Sequence, residues 1–235
     1  MGYYGYGFDP TYLLVIIAAI FSMIASAKVN STFKKYDKVF SQSGLTGKDA
    51  AERLLNSAGI YDVSVEHIAG NLTDHYDPRA KVLRLSDATY SSTSVAAIGV
   101  AAHECGHAIQ HDVGYAPLNI RSSLVPAANL GSKAGIPIIL LGVFLGYNQT
   151  LVQVGIWVFS LAVLFQIVTL PVEFNASGRA LRILREQNLL QDQEISKCRK
   201  VLTAAAMTYV AAAAGAIMQL LRLVILFGGG GRRRD

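Results

Sequence analysis

The chain has 235 residues, 52% of them hydrophobic and only 16% charged, with a mean hydropathy of +0.36 and a formal net charge of +5 at pH 7. An ordinary soluble domain carries roughly a quarter charged residues, so the composition argues against one and for a membrane-embedded protein. The basic balance does not indicate nucleic acid, because no basic-aromatic platform or recognition motif is present. Lys and Arg instead cluster beside apolar runs, where they mark the cytoplasmic side of a membrane.

The shortage of charge is local. No Asp, Glu, Lys or Arg occurs from Pro10 to Ala27, from Ala134 to Val172, or from Val201 to Leu221. A helical span needs about 20 apolar residues, so the middle stretch has room for a helical pair and each of the others for one helix. The first run, Tyr12 to Ala27, ends in Ala25-Ser26-Ala27, which resembles a signal-peptidase site. A signal peptide starts with a positive region, yet here Met1 to Pro10 has no basic residue and Lys28, Lys34, Lys35 and Lys38 follow the run. The expectation is an uncleaved anchor over residues 1–30, with its N-terminus outside and the chain from residue 28 onward in the cytoplasm.

Residues 31–132 read as a catalytic part. Thr46-Gly-Lys-Asp-Ala-Ala-Glu-Arg-Leu-Leu opens on a capping residue and continues as an amphipathic helix. Val63-Ser-Val-Glu-His-Ile alternates like a half-buried strand, Asn71 to Arg79 is polar and turn-rich, and Lys81-Val-Leu-Arg-Leu-Ser returns as a second strand. Ser91 to His111 reads as a long apolar helix. The order is helix, hairpin, helix, with an edge strand available to pair with an extended peptide.

Within that last helix stands His103-Glu-Cys-Gly-His107. Histidines four apart lie on the same helix face, so both imidazoles can reach one Zn²⁺, and Glu104 can take a proton from an attacking water. This is the H-E-x-x-H arrangement. His and Glu in so apolar a helix would be costly to bury without a partner, and a metal supplies one. Cys105, two residues from each histidine, falls on the opposite face as a packed small residue, and with Cys198 it forms no spaced framework.

A catalytic zinc site keeps three protein ligands and an open position, so a third ligand must come from elsewhere. His111 lies eight residues after His103, a full turn past His107, and is expected to be a polar neighbour instead. Glu173, in Leu170-Pro-Val-Glu-Phe-Asn-Ala-Ser, is the first charge after the apolar stretch. It is read at the start of a helical segment, where a ligand and a carboxylate favoured by the helix dipole are equally good readings.

The remaining segments are a transmembrane hairpin over residues 133–172, broken at Tyr147-Asn-Gln-Thr150, and a charged helical segment over residues 173–201. Residues 202–235 comprise an apolar helix and a basic tail. Its run from Leu202 to Phe227 either spans the membrane or packs in the catalytic core; Arg222 inside it, and Arg232 to Arg234 beyond it, argue against a simple span.

The pairing of Ala-Ala-His-Glu-Cys-Gly-His-Ala-Ile-Gln with Pro-Val-Glu-Phe-Asn-Ala-Ser resembles the YugP-type family of membrane zinc metallopeptidases and, more distantly, the HtpX-like membrane gluzincins. The similarity extends over nearly the whole chain, including Asp74-His-Tyr-Asp-Pro-Arg and Leu83-Arg-Leu-Ser. It implies a mainly α membrane protein with a small β-hairpin or sheet, in which a zincin-like α+β catalytic domain is carried on a transmembrane helical bundle. It implies one Zn²⁺ held by His103, His107 and Glu173, with Glu104 catalytic. HtpX-like enzymes place an Asp four residues after the third ligand to support a ligand histidine. Here that position is Ser177, leaving Asn175 or Ser177 to do a weaker version of the job.

The expected function is a zinc-dependent endopeptidase of the bacterial cell membrane, multi-pass, with its catalytic part cytoplasmic and acting on membrane or near-membrane polypeptides. Its partners are then a polypeptide substrate and the lipid bilayer. The oxyanion of the reaction needs a third group, and His75, Tyr76, Arg179 and Tyr209 are the candidates; His67 falls on an exposed strand face. The alternative is a non-catalytic zinc-binding membrane scaffold, favoured by Ser177 and opposed by an intact Glu104. A zinc transporter is excluded, because its apolar spans would need His, Asp or Glu and these contain none.

Overall fold

The structure is a computed structural model and describes residues 9–228; the residues before Asp9 and the Arg232 to Arg234 tail lie outside them. In chain order the elements are α1 (Tyr12–Tyr36), α2 (Gly47–Ser57), β1 (Ser64–Ile68), β2 (His75–Asp77), β3 (Val82–Ser86), α3 (Val95–Asp112), α4 (Ala116–Phe144), α5 (Gln149–Glu186) and α6 (Asp192–Phe227). The protein is mainly α with one small sheet, the fold class its sequence pattern implies.

Two compact units share the chain: residues Ala25–Ser122 with Val168–Tyr209, and the remainder up to Ile24, Ser123–Ile167 and from Val210. In the first, α2 begins with a reciprocal cap, the Thr46 hydroxyl accepting from the Asp49 N–H while the Asp49 carboxylate accepts from the Thr46 N–H. Ser94 caps α3 by accepting from the Ala97 N–H. Their apolar faces, with Leu54, Leu55 and Ile98, bury against Leu83 and Leu85 of β3, Leu184 of α5 and Ile195 of α6. In β3 the three apolar positions of Lys81-Val-Leu-Arg-Leu-Ser, Val82, Leu83 and Leu85, are all buried, and Arg84 between them is partly exposed.

The hairpin expected from residues 63–86 is not what forms. The sheet order is β1-β3-β2, with β1 and β3 parallel and β2 antiparallel to β3. Parallel strands need a crossover rather than a tight turn, and the stretch between them provides it while contributing a strand of its own. Asn, Asp and Pro do make turns on either side, but His75-Tyr76-Asp77 between them is extended. Asp74 anchors it by accepting from both the N–H and the hydroxyl of Ser86. β2 is thereby an edge strand beside α3.

Gly106 sets how closely α3 and α5 approach. A Cβ there would meet the Ala176 carbonyl oxygen at 2.5 Å, a backbone atom that no rotamer change can move. Gly106→Ala is therefore expected to lower stability by about 1–3 kcal/mol despite alanine's better helix propensity. Thermal unfolding checks this, and a variant as stable as wild type would mean the helices have slack.

In the second unit, Ile139 of α4, Val152, Phe159 and Val163 of α5 and Leu223 of α6 form the buried cluster. Gly155 lets α5 come against α4, where a Cβ would lie 2.5 Å from the Ile139 side chain. Outside this cluster large apolar side chains are exposed, among them Ile16 and Ile17 of α1, Leu140 and Leu141 of α4, Trp157 of α5 and Ile225 of α6. Such surfaces suit lipid, not water. Among the described residues four helices, α1, α4, α5 and α6, are long and apolar enough to cross a membrane.

Two expectations about these helices change. Glu173 does not begin a helical segment: α5 runs unbroken from Gln149 to Glu186 with Pro171 inside it. A proline is tolerated in an apolar membrane-type helix whose neighbours compensate the lost N–H, so Leu170-Pro marks no end and the helix-start explanation of Glu173 falls away. The segment after it is likewise not one charged helix, since the chain turns at Asn188, which takes a positive φ of 51°, before α6 starts at Asp192. The run Leu202 to Phe227 lies on one continuous helix, with Leu202 in the core of the first unit and Leu223 in the cluster of the second. Arg222 is accommodated by Asp9 at 3.6 Å and lies over the Tyr12 ring at 4.3 Å.

Candidate metal centre

His103 and His107, one turn apart on α3, stack edge to face with ring centroids 4.8 Å apart. Both Nε2 atoms turn toward Glu173 of α5, lying 3.3 and 3.6 Å from its Oε2. The ligand-type atoms of these three residues are all within 4.8 Å of one another, so together they could hold a metal ion. Glu173 is 2% exposed. A carboxylate so buried needs compensating partners, and among the described residues these are the two imidazoles, the Arg121 guanidinium at 3.7 Å from Oε1 and the Tyr209 hydroxyl.

The far sides of both rings are held. His103 Nδ1 lies 3.1 Å from the Ser177 hydroxyl. His107 Nδ1 lies 3.0 Å from Oε1 of Gln110, whose amide nitrogen donates to the Val172 carbonyl at 2.8 Å and to Asn175 Oδ1 at 3.0 Å. Those two donations fix the amide's orientation, so its oxygen is the atom left to accept from the imidazole. With Nδ1 of each ring engaged on its outer side, both Nε2 atoms are left facing Glu173.

Glu104 sits on the same helix, 8% exposed. Its Oε2 accepts from the backbone N–H of Tyr76 in β2 at 3.0 Å. Beside it opens a cavity of about 220 Å³, lined by His103, Glu104 and Tyr209 at its polar end and by apolar side chains such as Phe33, Val100 and Leu202. Burial lowers the pKa of His107, but its hydrogen bond to Glu173 and the charges of Glu104 and Glu173 outweigh that, so the ring titrates above its ordinary value.

Over residues 11–228 the chain matches the model of a family described as "Putative neutral zinc metallopeptidase". It belongs to that family. It is also 46% identical over 201 residues to "Putative membrane protease YugP" of Bacillus subtilis (strain 168), a match covering 85% of this chain and 89% of the relative. No solved structure matches it. The YugP-type resemblance carried by the two motifs thus extends through the chain.

The donor set suits the metal of that family. Two imidazoles and one carboxylate on a buried site are a zinc-type combination that leaves a fourth position free. The Ser177 hydroxyl and the Gln110 amide oxygen, set against the outer ring nitrogens, are partners of the kind that orient ligand histidines.

The other candidates sort by position. His111 stands apart from the group and shares a 2.9 Å hydrogen bond between its Nδ1 and the Tyr76 hydroxyl. Tyr76 is thus occupied at its hydroxyl, while exposed His75 lies against the Thr73 carbonyl at 2.9 Å. Arg179 donates to Asn175 at 2.8 Å and lies over the Tyr115 ring at 5.8 Å. Of the four oxyanion candidates, Tyr209 alone lines the cavity beside Glu104. His67 pairs with Asp87 on the exposed strand face. Cys105 is fully buried, with burial pushing its thiol pKa up, and donates to the Ala51 carbonyl at 3.6 Å.

Ser177 and not Asn175 reaches His103; Asn175 acts on Gln110. Sequence reasoning missed Gln110 and Arg121. Gln110 had a signal, its place three residues after His107 on the same helix face. Arg121 had none, because its proximity to Glu173 arises only when α4 and α5 pack.

Proposed function

We propose that the protein is a membrane-anchored zinc endopeptidase in which His103, His107 and Glu173 bind one zinc ion and Glu104 is the general base and acid. The observation that carries this reading is the convergence of both imidazole Nε2 atoms on the Glu173 carboxylate, with the Glu104 carboxylate presented beside them. Zinc, when bound, supplies a Lewis acid that makes water nucleophilic near neutral pH and polarises a carbonyl.

The protein's own groups do the rest. The Tyr76 N–H holds Oε2 of Glu104, leaving Oε1 to take a proton from the water that attacks the peptide carbonyl carbon. As the C–N bond breaks, Glu104 returns that proton to the leaving amine nitrogen. The Tyr209 hydroxyl donates a hydrogen bond to the oxyanion. The edge strand β2 pairs with the extended substrate backbone, and the apolar cavity takes a substrate side chain next to the scissile bond. A non-catalytic scaffold would leave Glu104 without a task. Comparing wild type with Glu104→Gln for peptide hydrolysis, with zinc content measured in both, tests the proposal.

The membrane parts on this reading are the anchor of residues 1–30, the hairpin of residues 133–172 and the apolar end of α6; the substrate is a membrane or near-membrane polypeptide. Lys28, Lys34, Lys35 and Lys38 after the first apolar run, and Arg179, Arg182 and Arg185 after the hairpin, support a cytoplasmic catalytic part. An impermeant amine reagent should therefore leave Lys48 unlabelled in intact cells and label it after permeabilisation. Labelling in intact cells reverses the orientation.

A further inference from the structure

A second cleft, of about 500 Å³, opens between the lower part of α1 and the start of α6, away from the metal centre's lining. Lys28 and Lys35 enter it from α1 and Arg199 and Lys200 from α6, and no Asp or Glu lines it. None of these four cations forms an ion pair among the described residues, whereas Lys48, Lys81, Arg84 and Arg185 each have a carboxylate partner. Four like charges sharing one cleft repel, and an anion between them removes that cost.

The rest of the lining narrows the anion. Thr32 and Thr203 offer hydroxyl donors, and Ala204 and Met207 make an apolar side. Along the chain, Lys28 directly follows the charge-free run Pro10 to Ala27, and Lys200 directly precedes the charge-free run Val201 to Leu221. The cations therefore stand where two apolar runs end, which for membrane-crossing helices is the level of the phospholipid headgroups.

We propose that this cleft binds the phosphate of an anionic phospholipid headgroup. The four cations surround the phosphodiester, the two threonines donate to its oxygens, and Ala204 and Met207 meet the start of an acyl chain. This site is independent of the peptidase reading and stands whether or not Glu104 is catalytic.

The test uses the full chain in detergent, incubated with phosphatidylglycerol or phosphatidylcholine, with bound lipid counted by native mass spectrometry. Wild type is expected to prefer phosphatidylglycerol, and Lys28→Gln with Lys200→Gln to lower that preference about tenfold. Lys34→Gln with Lys38→Gln removes the same charge from exposed positions outside the cleft and should leave it intact. Thermal unfolding confirms that each variant is folded, and the two single cleft variants, each with a partial loss, serve if the double variant is unstable. Excess inorganic phosphate should not displace the lipid. The proposal falls if the cleft variants keep the preference or if the Lys34/Lys38 control loses as much. It also falls if inorganic phosphate displaces the lipid completely, since the site would then take the free ion.

Discussion

Glu104→Gln is expected to lower peptide hydrolysis by about 10²–10⁴-fold, the usual range for losing a positioned proton-transfer group, while zinc content stays at the wild-type level. The separation follows from geometry. Glutamine keeps an oxygen to accept from the Tyr76 N–H, so the side chain can hold its place. It cannot take a proton from water at neutral pH. Neither His103, His107 nor Glu173 depends on Glu104 for its position: the rings are held by Ser177 and Gln110, and Glu173 comes from another helix. Cleavage-site mapping of the wild type should find an apolar residue beside the scissile bond, because the cavity next to Glu104 is mostly apolar. Equal cleavage by the Gln variant would end the peptidase reading.

Glu173→Ala should act differently, by removing metal. Two imidazoles alone are a poor site, and loss of one of three ligands is expected to weaken zinc binding about a hundredfold or more. Zinc per chain after dialysis should fall from near one to a small fraction, and the thermal stabilisation that zinc gives the wild type should largely disappear. Without metal, the substitution should cost little stability. It removes a buried carboxylate whose desolvation is unfavourable, and Arg121, partly exposed, can turn its charge to water. A Glu173→Ala protein that retains a full equivalent of zinc would exclude Glu173 as a ligand. Activity lost with zinc retained in one variant, and with zinc lost in the other, would assign the two glutamates separately.

Much of this site is legible in the amino-acid order because its parts are local. His103, Glu104 and His107 fall on one helix whose period puts both histidines on a single face, and the opposite position of Cys105 follows from the same period. The break at Tyr147 to Thr150 and the cap at Thr46 are local chemistry too. Where reading failed, the deciding contacts were distant in sequence. His75-Tyr76-Asp77 has turn composition, but Asp74 reaching Ser86 makes it the edge strand whose N–H holds Glu104. Leu170-Pro reads as a boundary, yet α5 continues through it because packed neighbours and an apolar setting tolerate the missing N–H.

What the sequence determined by itself is the chemistry available: charge-free runs long enough to span a bilayer, a histidine pair on one helix face with a glutamate between, and a second glutamate after a long apolar interval. Local periodicity and composition set these, and no partner element is needed to state them. Only the tertiary structure decided which groups meet. Close packing at Gly106 brings α5 against α3, so that Glu173 faces both imidazoles, the Ser177 hydroxyl reaches the His103 ring, and the Gln110 amide is anchored on the Val172 carbonyl. Those relations join residues 62 to 74 positions apart, and helix period carries no information over such a distance; the packing of one helix surface on another does.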